Sequence, residues 1–207
     1  GVVMVYSSSA FDAAVRYGDA QHYLRRQAIY AALALVVMWL VSRFDYRKLR
    51  PFTYPVLLAV FVMMVATVAG LGHRAGNAYR WLAVGPVHIQ PSEAAKVALV
   101  LWLAYSLSKK QDKVKSFWIG FVPHIFVVGV LMVLCLRQPD FASAVVLFLL
   151  CFTMLFVAGV RFPHIAISSV AFVLAGAALV RFSDYRWGRF LSWLEMEEHR
   201  QGLAYQP

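Results

Sequence analysis

Long apolar runs separated by short polar ones dominate the pattern of this chain. Six of them, at 27–44, 52–72, 91–108, 117–136, 141–160 and 165–182, are each long enough to cross the ~30 Å hydrocarbon core of a bilayer as a helix. Residues 1–10 are also apolar but too few to cross, and read as the end of a segment that begins before Gly1. Polar stretches lie between: 11–26 with Asp12, Arg16, Asp19, Arg25 and Arg26, then Arg43 to Arg50, 73–90, Lys109 to Lys115, Arg137 to Asp140 and Arg161 to His164. The last two are so short that the chain turns straight back, as neighbouring antiparallel helices do. The pattern predicts an all-α, polytopic transmembrane helix bundle of six full spans plus a partial first helix. It is one integral-membrane domain over 1–207, incomplete at both ends, with a first large outer loop at 73–90 and a polar, aromatic tail at 183–207.

Composition removes the alternatives. Only 14% of residues are charged and 61% are hydrophobic, where a soluble domain carries about a quarter charged residues. The net charge of +10 does not indicate nucleic acid, because the cations sit in short segments between apolar runs rather than on a polar surface. Loop charge instead sets orientation. Arg43, Arg47, Lys48 and Arg50 in one loop, and Lys109, Lys110, Lys113 and Lys115 in another, lie on the same side if every span crosses once, which makes both cytoplasmic. Residues 11–26, 73–90, 137–140 and the tail are then external. Cys135 and Cys151 fall inside apolar runs without metal-ligand spacing and read as buried small residues. Trp102, Trp118, Trp187 and Trp193 lie near span ends and read as interface-belt residues.

The candidate chemistry gathers at two similar helix starts, Gln90-Pro91-Ser92-Glu93 and Gln138-Pro139-Asp140. In each a Pro suits the first helical position, where a missing N–H costs nothing, and a carboxylate falls where the helix dipole favours it. Capping alone explains Asp140 as well as a functional role does. Lys96 lies a turn further into its span, about 4.5 Å deeper than Glu93 at 1.5 Å per residue, and can pair with Glu93 at i, i+3. Charge inside a span is costly and is by default a functional feature, with a structural ion pair as the alternative. The six histidines (22, 73, 88, 124, 164, 199) show no HExxH or paired-ligand spacing, so no metal site is expected. Gly70, Gly72 and Gly76 are spaced like a helix end and turn, not a phosphate loop.

The stretch Asn77 to Lys96, with Arg80-Trp81 and Gln90-Pro91-Ser92-Glu93-Ala94-Ala95-Lys96, resembles the signature of the SEDS family of shape, elongation, division and sporulation proteins, the RodA and FtsW group. Collinear pieces agree: Val3 to Ser9, Tyr23-Leu24-Arg25-Arg26-Gln27, Gln138-Pro139-Asp140-Phe141, Leu155-Phe156-Val157-Ala158-Gly159, and in the tail Arg189 to Leu194 and His199 to Gln206. The Tyr-Gln ending is closer to the division and sporulation branch. The resemblance implies a multi-pass bacterial inner-membrane glycosyltransferase of about ten helices that polymerises lipid II into peptidoglycan strands. It also implies work with a class B penicillin-binding transpeptidase and other division proteins.

By the same resemblance the chain is roughly the first half of the enzyme, inactive alone, with 183–207 the start of the large outer loop. The essential Asp of the family lies beyond Pro207, so no catalytic residue is named within the chain. Trp81 matches an outer-loop Trp important to the family, with headgroup anchoring as the alternative. Glu93 and Lys96 match polar positions of its central cavity, Glu93 to orient the acceptor or a cation and Lys96 to meet phosphate, and Asp140 joins the same cavity. Arg74 and Arg80 are candidate pyrophosphate contacts, with membrane-lipid headgroups as the alternative. No cofactor is expected in this chain, while a divalent cation (Mg or Mn) is compatible with the transfer. Two other classes compete: a lipid-precursor flippase or transporter, with Glu93, Lys96 and Asp140 along its path, and a non-catalytic division scaffold.

Overall fold

The computed structural model describes residues 21–75, 78–84 and 87–182, together with residues 4, 6–7, 9–10, 13, 15, 18–19 and 187–188. The expected partial first helix and the tail therefore lie largely outside the described residues. The chain divides into two compact units, Gly1–Arg50 and Pro51–Pro207.

The first unit contains helix α1 (His22–Ser42). Asp19 precedes it, accepting a hydrogen bond from the Gln21 amide at 2.8 Å and pairing with Arg25 at 3.5 Å. None of its residues is buried although its sequence is strongly apolar, the surface expected of a helix whose solvent is lipid. Near its end the Arg43 guanidinium lies 4.8 Å from the Trp39 ring centroid, an aromatic and cationic anchor typical of a membrane boundary.

A 3-10 segment over Tyr46–Phe52 leads into α2 (Thr53–Ala66), which continues as a π turn over Thr67–Leu71. There follow β1 (His73–Ala75), β2 (Ala78–Val84), β3 (Val87–Ile89) and α3 (Pro91–Lys109). A π turn over Phe117–Phe121 opens α4 (Val122–Arg137), and α5 (Phe141–Val157) and α6 (Phe162–Arg181) complete the second unit. The six helices stand where the apolar runs predicted them. Four helical stretches, at 22–42, 46–71, 117–137 and 162–181, are long and apolar enough to cross a membrane alone. The other two, α3 with its charged ends and the 17-residue α5, carry more buried residues than any other described helix. Neighbours shield them, so neither has to satisfy lipid by itself.

Helix α3 is central, packed on α2, α4 and α5. Ala95 and Ala98 on α3 and Ala144 on α5 are buried, and small residues let membrane helices approach closely. Leu99, Leu103, Leu131, Leu147 and Leu155 fill the space between, each at most 1% exposed. Cys135 and Cys151 are buried, free thiols, as the sequence suggested. Helix α5 ends in a Schellman motif: the Val160 amide bonds to Leu155 O at 3.1 Å and the Gly159 amide to Phe156 O at 3.0 Å. That arrangement places Gly159 at φ 85°, a left-handed conformation that glycine adopts without a Cβ penalty.

Two expectations are corrected and one gains detail. The connection 73–90 contains an antiparallel meander in the order β1-β2-β3, with His73 opposite Trp81, Leu82 opposite Ile89 and Val84 opposite Val87. Aromatic and branched residues between the turn-forming dipeptides Gly76-Asn77 and Gly85-Pro86 account for it. Trp102 is not an interface-belt residue. It is 6% exposed, because it faces the core, its ring centroid 5.2 Å from that of His124. Pro139 does not open a helix; α5 starts at Phe141 with Asp140 as its N-cap. Trp118, by contrast, is 75% exposed and Trp187 lies 4.8 Å from the Arg181 guanidinium, both as expected of the belt, while Trp193 lies outside the described residues.

Next to Trp102 the core holds a polar pair. His124 Nδ1 lies 2.8 Å from Gly120 O and its Nε2 lies 2.9 Å from Ser106 Oγ, with both residues buried. A carbonyl only accepts, so Nδ1 carries the proton and Nε2 accepts from the Ser106 hydroxyl. Ser106→Ala removes that donor and is expected to cost about 1 kcal/mol. Thermal unfolding in detergent should show a lower midpoint, and Ser106→Thr should preserve it.

Candidate functional site

The two helix starts singled out in the sequence meet. Gln90 caps α3 from an extended conformation and Pro91 takes its first position, as expected. At the same end of the bundle α4 terminates, and the Asp140 amide closes its last turn by donating to Cys135 O at 2.9 Å. The Asp140 side chain caps α5, with Oδ1 accepting from the Ser143 amide at 3.1 Å. Its other oxygen, Oδ2, accepts from Ser92 Oγ at 2.9 Å and from Gln90 Nε2 at 3.1 Å. The Ser92 hydroxyl in turn accepts from Gln90 Nε2 at 2.9 Å and from Ser143 Oγ at 3.4 Å. The capping that the sequence offered for Asp140 is present, and the same carboxylate also bonds to α3. Gln138 extends the network sideways, donating from Nε2 to Met64 O on α2 at 3.1 Å.

Beside this buried joint lies the charged pair. Lys96 Nζ and Glu93 Oε1 are 2.6 Å apart, with the lysine side chain 23% and the glutamate 60% exposed. The glutamate opens outward while the ammonium is recessed by a turn. Lys96 lies one turn along α3 from Ser92, so the recessed cation shares a face of that helix with the joint. Over it stands the meander: β2 touches the end of α2 and the start of α3, and Trp81 on β2 is half-buried. Arg74 lies on β1 and Arg80 on β2, but their side chains are outside what is described. Of the predicted residues, the structure thus brings together Gln90, Ser92 and Asp140 by hydrogen bonds and Glu93 with Lys96 by an ion pair. Trp81 lies on β2, the strand that contacts α3.

Ser143 was missed. The signal was present, since an Asp N-cap takes the amide three residues on, and that residue here brings a hydroxyl with it. Among the described residues no three His, Cys, Asp or Glu side chains converge as metal ligands do. A groove of about 780 Å³ lies between α2 and α4, lined by Leu57, Leu58, Phe61, Phe126, Val130 and Leu131 among others. Its walls are almost wholly hydrocarbon, so it offers little to orient a polar reactant.

Comparison with known proteins places this arrangement. The family described as cell cycle protein, which groups FtsW, RodA and SpoVE, matches residues 1–207. The chain belongs to that family. It is 38% identical over 207 residues to the probable peptidoglycan glycosyltransferase FtsW of Geobacter sulfurreducens, covering all of this chain and 56% of that protein. It is 32% identical over 209 residues to the stage V sporulation protein E of Bacillus subtilis, covering 57% of it. The chain therefore spans a little over half the length of the curated relatives it matches. Among solved structures, one of a peptidoglycan synthase complex that coordinates polymerization and crosslinking aligns with 95% of this chain and 59% of that chain, at TM-score 0.67 and 25% identity. The Thermus thermophilus rod shape determining protein RodA aligns with 86% of this chain and 57% of that chain, at TM-score 0.60 and 24% identity, a likeness of fold. The FtsW/RodA fold and the apolar helices make the chain part of a multi-pass membrane protein.

Proposed function

We propose that this chain is the first half of a peptidoglycan glycosyltransferase that polymerises lipid II in division or sporulation, beside a class B penicillin-binding transpeptidase. The observation that carries the reading is the meeting of the two Gln-Pro motifs in one buried joint beside Glu93 and Lys96, in a family whose relatives include a probable peptidoglycan glycosyltransferase. In the transfer, an acceptor hydroxyl oxygen bonds to the anomeric carbon of the donor sugar and the bond from that carbon to the lipid pyrophosphate breaks. The hydroxyl proton passes to a base, the role assigned here to the family's Asp in the part of the protein after Pro207.

Lys96 meets the charge that grows on the departing pyrophosphate. A preorganised cation in a site poor in water stabilises such charge far better than one in bulk solvent. Glu93 holds the ammonium in place through the 2.6 Å ion pair, and its other oxygen can face the acceptor. It can also hold a divalent cation against the pyrophosphate, since Mg commonly binds through one or two carboxylates together with substrate phosphates. Arg74 and Arg80 add positive charge near the same leaving group or in the lipid headgroups. The basic loops 43–50 and 109–115 face the cytoplasm by their charge, which puts the sheet and the Lys96 end outside, where strands are made.

The complete protein, reconstituted with its transpeptidase and supplied with lipid II, should yield a ladder of glycan strands on a gel. No ladder, combined with movement of lipid II across the vesicle membrane, would support the transporter class instead. Trp81 in this reading is an apolar platform for a sugar face or the headgroups, so Trp81→Phe should retain most polymerisation. Loss as severe as with Trp81→Ala would assign the indole N–H a direct contact.

A further inference from the structure

We propose that Asp140 is a positioning residue: by holding Ser92 and Gln90 it fixes the first turn of α3, and with it the direction in which Lys96 and Glu93 face the substrate. The inference rests on the glycosyltransferase reading and adds to that site a residue that acts through others.

Asp140 ties three helices at this end through its amide and its carboxylate. Its amide finishes α4 on Cys135 O, its Oδ1 starts α5 on the Ser143 amide, and its Oδ2 takes the Ser92 hydroxyl of α3. The residue is 7% exposed and Ser92 is fully buried, so these bonds do not compete with water. Both carboxylate oxygens are engaged by protein donors, which turns the acid inward rather than toward an incoming reactant. The Ser92 hydroxyl is equally committed, donating to Asp140 while accepting from Gln90 and Ser143. Lys96 lies four residues after Ser92 and Glu93 directly follows it. On a helix a residue at i+4 stacks on the same face as residue i, so the anchor at Ser92 sets the azimuth of Lys96. Releasing the anchor lets the first turn of α3 rotate or fray, and a displacement of about 1 Å at a reacting group can cost about 100-fold in rate.

The test uses the complete polymerase with its transpeptidase and lipid II, measuring kcat and KM. Asp140→Ala is expected to lower kcat by about 100-fold with KM changed much less. Ser92→Ala should shift the same parameter, and the double variant should be no slower than Asp140→Ala alone, because both remove one link. Rescue separates positioning from contact. The Ser92 and Ser143 hydroxyl oxygens are 3.4 Å apart, so cysteines introduced by Ser92→Cys and Ser143→Cys are placed to form a disulfide that replaces the link between α3 and α5. In the Asp140→Ala background the oxidised protein should recover at least about a tenth of wild-type kcat and lose it again on reduction. A cross-linked protein as slow as Asp140→Ala, or losses that multiply in the double variant, would overturn the proposal and make Asp140 a substrate contact. Lys96→Ala measured in parallel keeps the two readings apart. Full activity there would remove the glycosyltransferase assignment of the site itself, and this inference with it.

Discussion

Lys96→Ala in the complete protein is expected to lower glycan polymerisation by about 100- to 1000-fold, the loss typical of removing one preorganised group that stabilises transition-state charge. Insertion and folding should be unchanged. The lysine is 23% exposed and bonded to a glutamate that is itself 60% exposed, so removing it leaves no buried, unpaired carboxylate. Its absence should therefore register in catalysis rather than in stability. Lys96→Arg should recover little, since a planar fork does not replace a compact ammonium. Glu93→Ala should fall in the same direction, and Glu93→Gln should recover part of the loss by keeping a hydrogen-bond acceptor for the ammonium. Strand synthesis from lipid II checks all four variants, with a thermal melt in detergent as the control for folding. Normal synthesis by Lys96→Ala would reduce the pair to an ion pair of structural use only.

Gly120→Ala is expected to damage the fold more than any other single methyl addition at a described helical glycine. A Cβ at that position would stand 2.0 Å from the carbonyl oxygen of Val114 and 2.5 Å from its carbonyl carbon, and both are backbone atoms that no rotamer change can move. Val114 is itself held, 2% exposed in the core, and the Gly120 amide bonds to Ser116 O at 2.8 Å. The lysine-bearing connection between α3 and α4 is clamped at this contact. Overpacking a tight site costs about 1–3 kcal/mol and sometimes more, so the melting midpoint should drop by several degrees or the protein should fail to accumulate. Gly129→Ala and Gly176→Ala are the controls: a Cβ at either meets nothing within 4 Å, and alanine favours helix by up to about 1 kcal/mol. Equal behaviour of all three would mean that the close approach at Val114 does not exist in solution.

Much of this was legible in the sequence because lipid enforces a simple rule. A span must be about 20 apolar residues long, and that length is read directly, which is why six helices stand near their expected positions. The rule fails where protein replaces lipid. Trp102 reads as a boundary residue by its distance from the span end, yet α3 packs on three other helices and the indole faces inward. The meander at 73–90 was hidden because β1 and β3 have only three residues each, so β2 has no partner that the sequence pattern reveals. At the site, Glu93 and Lys96 were readable as an i, i+3 pair because helix geometry is local. The bond between Ser92 and Asp140 spans 48 residues, and no local spacing encodes it. The likeness of the two Gln-Pro motifs hinted at a shared position, but only the packing of α3 against α4 and α5 shows that one carboxylate joins them.

Substrate is expected to meet the protein at the sheet end, over Trp81, Glu93 and Lys96. Photo-crosslinking tests it most directly: the complete protein is irradiated with lipid II carrying a benzophenone near its pyrophosphate, digested, and the labelled peptides are mapped by mass spectrometry. The account predicts adducts within 73–96 and around Asp140, reduced by competition with unmodified lipid II. Competed adducts confined to the lysine-bearing connection at 109–116, or to the apolar walls between α2 and α4 with none at the sheet end, would contradict it.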